Sequence, residues 1–169
     1  MDLQYVPREL KKLDQVIAEV LLAPVMQDER PPQGVAGMVD WRLSGQISRL
    51  IKSGFFSGAP GETLLVPTKP ALPFDKTLLI GCGRKAEFDE RAFLAVLAKF
   101  INVLKGLKAG HAVVELPGRH LDAIAADRAI DLLLEQPLPV NTKWTLVDGA
   151  EGQKVLSERR LRERRHIAP

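Results

Sequence analysis

Short apolar runs alternate along the chain with longer segments in which apolar residues recur every three or four positions. The runs predict buried strands at 16–25, 63–67, 77–81, 111–117 and 143–148. The longer segments predict helices at 34–52, from Asp89 to about Gly106, at about 122–135 and at about 151–165. The resulting order, β-α-β-β-α-β-α-β-α, is typical of a mixed, mainly parallel sheet that is covered by helices on both faces.

Two of the predicted helices carry local signals of where they begin or break. Gly45 lies within the periodic segment 34–52 and is expected to bend or interrupt it. Asp89 precedes the clearest apolar stripe of the chain and is expected to be its N-cap. Trp41 and Trp144 both fall within periodic elements, so we expect them in the core or at its rim.

Composition limits the chain to one domain with its own core. It has 169 residues, of which 46% are hydrophobic. Lys and Arg number 24 against 21 Asp and Glu, a net charge of +3. Residues 151–169 account for all of this excess, because they hold six basic and three acidic side chains. We therefore divide the chain into an α/β domain at 1–150 and a basic C-terminal helix or tail at 151–169.

The first residues and the cysteine count indicate where the protein resides. The N-terminal segment lacks the apolar stretch of a signal peptide, and no run is long enough to cross a bilayer. The single cysteine, Cys82, excludes an internal disulfide and fits a reducing compartment. These features predict a cytoplasmic protein that does not contact membranes.

Residues 81–86, Gly-Cys-Gly-Arg-Lys-Ala, follow a predicted strand and match the G-x-G-x-x-A form of the dinucleotide fingerprint. Helical periodicity resumes only near Asp89, and no acidic residue ends a second strand about 20 residues later. A structural turn is therefore favoured over a cofactor loop. Cys82 is interpreted as a packed residue rather than a nucleophile, because no histidine is near it in the sequence.

His111 and His120 show no metal-ligand spacing, so we expect capping or solvent-facing roles for both. We predict no metal ion and no cofactor. The basic segment has two interpretations: a solvated or partner-contacting helix, or a contact to nucleic acid. Its candidate contacts to an anionic partner are the five arginines Arg159, Arg160, Arg162, Arg164 and Arg165.

Three stretches together resemble the N-terminal domain of the leucyl (cytosol) aminopeptidase family. The first is Val-Asp-Trp-Arg-Leu-Ser-Gly-Gln-Ile-Ser at 39–48. The second is the aromatic and glycine-rich turn at 54–62 that leads into Leu-Leu-Val-Pro, and the third is Leu-Leu-Ile-Gly-Cys-Gly-Arg at 78–84. In order and spacing the resemblance covers about residues 14–150. It implies a macro-domain-like fold with three layers, α/β/α.

The resemblance also implies what the chain lacks. In that family the two metal ions and the catalytic residues belong to a larger C-terminal domain, and no segment here matches the motif that supplies them. We therefore expect no enzymatic activity and assign no catalytic or metal-binding residue. Met1 and the basic C-terminal helix favour a free-standing relative of the N-terminal domain over a fragment of a longer protein.

Three functions follow as expectations. The first is a non-catalytic interaction or oligomerisation domain that self-associates or docks onto a protein partner. The second is a module that binds a nucleotide or an ADP-ribose-type ligand at the strand ends. Its candidate crevice residues are Gly34, Gly37, Asp40, Gly81 and Gly83. The third is nucleic-acid contact through the basic C-terminal helix.

Overall fold

The computed structural model describes the backbone of residues 3–167 and the side chains of residues 3–165. Its strands are β1 (Leu3–Pro7), β2 (Ala18–Val25), β3 (Thr63–Pro67), β4 (Phe74–Gly81), β5 (His111–Glu115) and β6 (Lys143–Asp148). Its helices are α1 (Leu10–Leu13), α2 (Gly34–Arg42), α3 (Gln46–Lys52), α4 (Glu90–Leu107), α5 (Ala126–Leu134) and α6 (Ala150–Ile167).

The strands form one sheet in the order β1-β6-β5-β2-β4-β3. Neighbouring strands are parallel except β3, which runs antiparallel to β4. Helices α1 to α3 cover one face of the sheet and α4 to α6 cover the other. The predicted α/β class, with three layers and a mixed, mainly parallel sheet, is confirmed.

The apolar stripe on α4 packs as its spacing predicts. Its six apolar positions from Phe93 to Leu104 are buried against the sheet. The Asp89 side chain accepts a hydrogen bond from the Ala92 N–H at 2.8 Å, which confirms the expected N-cap. Burying this one face against β4 and β5 removes a continuous apolar surface from water and fixes the helix on the sheet.

The segment 34–52 forms two helices instead of one. Ser44 and Gly45 both have positive φ, 54° and 79°, which ends α2 and starts α3 in a new direction. Trp144 is fully buried, whereas Trp41 near the end of α2 is 73% exposed. The expectation of a core or rim position is therefore wrong for Trp41.

The sequence interpretation misses β1 and α1, because Leu3–Pro7 is short and alternates too weakly to be distinguished from a loop. The predicted helix at 122–135 begins later, at Ala126, because Gly118 and Asp122 have positive φ and hold a tight turn before it. Residues 168 and 169 of the predicted basic segment lie outside the described residues. Within residues 3–167 no helix is both long and apolar enough to cross a membrane.

Candidate functional site

The carboxyl ends of β2, β5 and β6 meet at one edge of the sheet, the position at which open α/β sheets receive ligands. Glu115, the last residue of β5, lies at this edge and is fully buried. Its Oε1 accepts a hydrogen bond from the Arg8 Nε at 2.5 Å, and its Oε2 accepts one from the Val35 N–H at 3.0 Å. This carboxylate therefore occupies the positive end of α2.

Burial and charge act in opposite directions on Glu115. Burial raises the pKa of this carboxyl above its usual range, while the nearby Arg8, His120 and Val35 N–H act to lower that pKa. The burial effect is the larger one. Glu115 therefore holds its proton more tightly than an exposed glutamate would.

A histidine and a second buried glutamate, each in a loop, contact each other at the carboxyl ends of the strands. The His120 Nε2 lies 2.7 Å from Oε1 of Glu29, which is 2% exposed. The other polar atoms of the pair, Nδ1 of His120 and Oε2 of Glu29, are buried without a hydrogen-bond partner in the described structure. The contact joins the loop before α2 to the loop after β5.

A third group of charges lies at the end of β6. Arg119 is 2% exposed and donates from Nε to Oδ2 of Asp148 at 2.8 Å. It also donates from its Nη2 to Oε2 of Glu151, at the start of α6, at 3.0 Å. The Nη2 of Arg8 lies 3.6 Å from the Asp148 carboxylate, so Arg8 stands between this group and Glu115.

The space in front of α2 is filled by this network. Gly34 begins the helix with a φ of 62°, and a Cβ at this position would lie 2.6 Å from the Glu115 Oε2 and 3.0 Å from the His120 Cβ. Gly34 is thus required by packing against the chain's own side chains. The N-terminus of α2 faces a glutamate of the same chain where a ligand anion would otherwise bind.

Two further crevice candidates lie on α2. A Cβ at Gly37 would lie 2.5 Å from the Pro32 carbonyl, so the glycine lets the preceding loop pack against the helix. The Asp40 carboxylate accepts hydrogen bonds from the Ser48 N–H at 2.8 Å and from the Ser48 hydroxyl at 2.5 Å. Asp40 therefore ties α2 to the first turn of α3.

Gly81 and Gly83 lie at the end of β4. A Cβ at Gly81 would lie 1.9 Å from the Ala59 carbonyl, and the Gly83 carbonyl accepts a hydrogen bond from the Gln27 N–H at 2.8 Å. Both glycines let neighbouring loops approach the strand end closely. Gly83 also lines a cavity of about 280 Å³ between this turn and α4.

Cys82 is 4% exposed and lies between these glycines. Burial raises the pKa of its thiol to about 12, and the carboxylates of Glu115 and Glu29 act in the same direction. The thiol is therefore protonated at neutral pH and is not a nucleophile. The interpretation of Cys82 as a packed residue is confirmed.

The remaining histidine outside α6, His111, braces the start of β5. Its Nδ1 lies 3.0 Å from the Ile17 carbonyl and its Nε2 lies 2.8 Å from the Thr145 hydroxyl. Burial lowers the pKa of this imidazole, with Lys143 acting in the same direction. Among the described residues, no group of three or more His, Cys, Asp or Glu side chains is placed to hold a metal ion.

The five arginines of α6 fall into two sets. Arg159 donates to the Asp131 carboxylate of α5, and Arg160 donates to the Leu3 carbonyl of β1. The side chains of the other three, Arg162, Arg164 and Arg165, are exposed. The first set therefore fastens α6 to the domain, and the second set faces solvent.

The sequence interpretation does not identify the residues that close the strand ends: Arg8, Glu29, Glu115, Arg119 and Asp148. One signal was available, because Glu115 and Asp148 each follow directly on an apolar strand run and so lie at a carboxyl end. Their partners give no such signal. They come from loops that are distant in the sequence and meet only in the fold.

Comparison with known proteins gives two kinds of relative. Two proteins named probable cytosol aminopeptidase, from Halorhodospira halophila and Shewanella loihica, are 33% and 34% identical over 90 and 94 residues. These matches cover 53% and 56% of this chain, but only 18% and 19% of the relatives. The chain therefore matches less than a fifth of their length.

The solved structures agree on the fold. A tomato leucine aminopeptidase mutant superposes with a TM-score of 0.59 at 13% identity, over 92% of this chain and 35% of that one. An Oceanobacillus iheyensis macrodomain with ADP superposes with a TM-score of 0.66 at 11% identity, over 92% of this chain and 89% of that one. At these identities the likeness shows the macro-domain-like fold alone.

The family model named cytosol aminopeptidase family, N-terminal domain, matches residues 20–136. This range runs from β2 through α5 and includes the α2 N-terminus, Glu115 and the turn at Gly81. It covers more than half of the chain and agrees with the resemblance carried by residues 39–48, 54–67 and 78–84. The chain belongs to the cytosol aminopeptidase family, through the N-terminal domain of that family.

Proposed function

We propose that this domain is a non-catalytic, cytoplasmic assembly domain that associates with itself, rather than a small-molecule receptor or a hydrolase. The observation that separates this function from that of a small-molecule receptor is the Glu115 carboxylate at the N-terminus of α2. The family match supports the absence of catalysis, because it covers the N-terminal domain alone. The single cysteine, buried and reduced, supports the cytoplasmic assignment.

A ligand phosphate at the α2 N-terminus would have to displace Glu115. The displaced carboxylate would release both the Val35 N–H and the Arg8 guanidinium, and Arg8 would lose its closest partner. Removing one partner of a buried ion pair costs about 3 to 5 kcal/mol. A nucleotide or ADP-ribose-type ligand would need to offset this cost before it gained any affinity.

Asp40, the acidic residue among the crevice candidates, is also engaged. Both Asp40 oxygens accept hydrogen bonds from Ser48, and the residue is only 8% exposed. Using Asp40 to bind a ligand would break the link between α2 and α3. Gly34, Gly37 and Asp40 thus hold α2 in place, which favours the assembly function over the ligand-binding alternative.

The surface supplies the apolar groups that association needs. Trp41 is 73% exposed and Phe55 is 67% exposed, and the apolar Leu65 of β3 is 44% exposed. Large apolar side chains on a surface mark places where a partner removes area from water. The interaction or oligomerisation role expected from the sequence points in the same direction.

Light scattering coupled to size exclusion, run from about 10 to 500 µM chain, tests the proposal because association responds to concentration. We expect a mass that rises above the 18.7 kDa of one chain. A mass that stays at one chain throughout would contradict it. Calorimetry with ADP-ribose and ADP is the second arm. No heat is expected at millimolar ligand, and saturable heat would favour the receptor function.

A second candidate function, nucleic-acid contact, is supported by the three exposed arginines Arg162, Arg164 and Arg165 on the last turns of α6. Each phosphate contact adds about 0.9 to the slope of log affinity against log salt on duplex DNA. Replacing all three with Gln should reduce that slope by about 2.7 if they bind the backbone.

A matched control for this test removes the same charge elsewhere. Lys11, Lys12 and Lys52 are exposed on the helices of the opposite layer. Their replacement with Gln should leave the slope unchanged if binding occurs through α6. Equal losses in the two variants would indicate only a general charge effect and would remove the second candidate.

A further inference from the structure

The backbone of β3 presents alternate hydrogen-bonding groups to β4 and away from it. The Gly81 N–H donates to the Glu62 carbonyl at 2.7 Å, and the Thr68 N–H donates to the Asp75 carbonyl at 3.3 Å. In an antiparallel pair the residues between such positions alternate. Leu64 and Val66 therefore bond to β4, while Thr63, Leu65 and Pro67 direct their backbone groups outward.

β3 is the last strand on its side of the sheet. The three outward-directed residues, Thr63, Leu65 and Pro67, are all exposed. Exposed strand edges are usually protected by charged side chains, proline, short length, a bulge or a covering element, and β3 has two of these, its length of five residues and Pro67 at its end. No residue from Thr63 to Pro67 is charged, and Leu65 is 44% exposed.

The side chains of β3 also alternate between the two faces of the sheet. Leu64 and Val66 pack against the core below α2 and α3. Leu65 lies on the opposite face, beside Leu78 of β4, which belongs to the core below α4. The exposed leucine is therefore at the centre of the strand and on one face only.

We propose that β3 pairs antiparallel with β3 of a second copy of this chain, about a two-fold axis at Leu65. This pairing rests on the self-association proposed above and assigns it an interface. It joins two six-stranded sheets into one continuous twelve-stranded sheet. The pairing also covers the edge of β3 that does not bond to β4.

The register fits a second copy because the outward residues are symmetric about Leu65. Each Leu65 N–H donates to the Leu65 carbonyl of the other copy, and each Thr63 N–H donates to the Pro67 carbonyl opposite. Pro67 has no N–H, so each Thr63 carbonyl alone goes without a strand partner. Pro67, which has no N–H to donate, thus lies opposite Thr63, whose N–H donates to it.

Side-chain chemistry fits the same partner. The two-fold places Leu65 directly against the Leu65 of the second copy, at the spacing at which cross-strand pairs interact. A charged strand would place like charges opposite each other in such a self-pairing, and this strand has none. With five residues on each side the contact is small, so the dimer is weak and dependent on concentration.

The test replaces Leu65 with a charge of either sign. Leu65→Lys and Leu65→Glu each place two like charges opposite each other, so each variant alone should be monomeric where the wild-type chain is dimeric. Mixing the two variants should restore the dimer, because Lys then faces Glu. Leu134→Lys is the matched control: Leu134 is 41% exposed on α5, away from the edge, and its replacement should leave the dimer intact.

The outcomes separate the interface from the function. If the wild-type chain dimerises, both Leu65 variants are monomeric and their mixture dimerises, the interface is supported. If the wild-type chain dimerises and either Leu65 variant dimerises equally well alone, or the mixture fails to recover, the β3 interface is wrong while self-association stands. If the wild-type chain is monomeric up to about 500 µM, both proposals fail.

Discussion

The two outer strands of the sheet differ far more in their surroundings than in their sequences. β1 is Leu-Gln-Tyr-Val-Pro and β3 is Thr-Leu-Leu-Val-Pro, each five residues long and each ending in proline. Yet β1 is flanked by α6, whose Arg160 donates to the Leu3 carbonyl, while β3 ends the sheet uncovered. Whether an edge is open to a partner is decided by the elements around the strand.

The charged residues next to the two outer strands differ in the same way. Next to β1, Arg8 enters the buried network at the strand ends, where it binds Glu115 and approaches Asp148. Next to β3, the ion pair between Lys69 and Asp75 is half-exposed, and such pairs contribute little to stability. One side of the sheet is closed by buried, interlocked polar groups. The other side keeps an uncharged strand in contact with solvent.

The greatest loss of stability should come from removing a carboxylate of the buried polar network. Glu115→Ala removes the carboxylate that serves both Arg8 and the Val35 N–H, and it should lower the free energy of unfolding by about 3 kcal/mol. Urea denaturation measures the change. Glu90→Ala is the control, because its partner Arg128 is exposed, and it should cost less than about 1 kcal/mol. Equal costs would mean that the buried network does not hold the strand ends.

A smaller effect is expected from loosening the cover of β1. Leu156 is 5% exposed and anchors α6 in the core, so Leu156→Ala should lower the free energy of unfolding by about 2 to 3 kcal/mol. Leu161 lies on the same helix and is 56% exposed. Its replacement with Ala should change stability by less than about 0.5 kcal/mol. If the two substitutions cost the same, α6 does not cover β1 through its apolar face.

The smallest expected effect is a change in the free energy of unfolding with pH. Burial raises the pKa of Glu115, so the folded chain binds this proton more tightly than the unfolded chain does. The stabilisation by this group is complete below the unfolded pKa and is lost as pH rises through the folded pKa. Glu115→Gln removes the titration. The stability difference, wild type minus this variant, should therefore fall as pH rises above about 4.3, the usual pKa of glutamate.

Carboxylates elsewhere titrate in the opposite sense and provide a check on that slope. Burial opposes the ionisation of Glu62, but hydrogen bonds from Ser57, Ala59 and Gly58 outweigh it and lower the pKa of this carboxyl. Its stabilisation is lost as pH falls. This loss occurs equally in both proteins and cancels in the difference, so a difference that rises with pH would contradict the account of Glu115.

Much of the fold could be predicted from the sequence because its strands and helices follow the local spacing of apolar residues. The spacing of apolar residues predicts β3 and β6 with the bounds that the structure shows, and it predicts the buried stripe on α4. The N-cap at Asp89 is predicted as well. The same signal is too short in Leu3–Pro7, where only two positions are buried. β3 is also an outer strand, but its apolar run Leu-Leu-Val is continuous, whereas Gln4 interrupts the apolar pattern of β1.

The site could be predicted less well because its contacts are not local. Glu115 meets Arg8 across 107 positions and Val35 across 80, and His120 meets Glu29 across 91. No spacing rule connects residues so far apart. The family resemblance identified the domain, but the glycines and Asp40 that it suggested for a ligand crevice lie against the chain's own groups.

Amide hydrogen exchange of β3, followed by NMR at low and high chain concentration, shows directly whether the outer edge of this strand pairs with a second copy. The amides of Leu64 and Val66 bond to β4 and should be protected at every concentration. The amides of Thr63 and Leu65 should exchange freely at about 10 µM and become protected at about 500 µM, as the second copy binds them. Exchange of Thr63 and Leu65 at one rate across that range would contradict an open edge that pairs with itself.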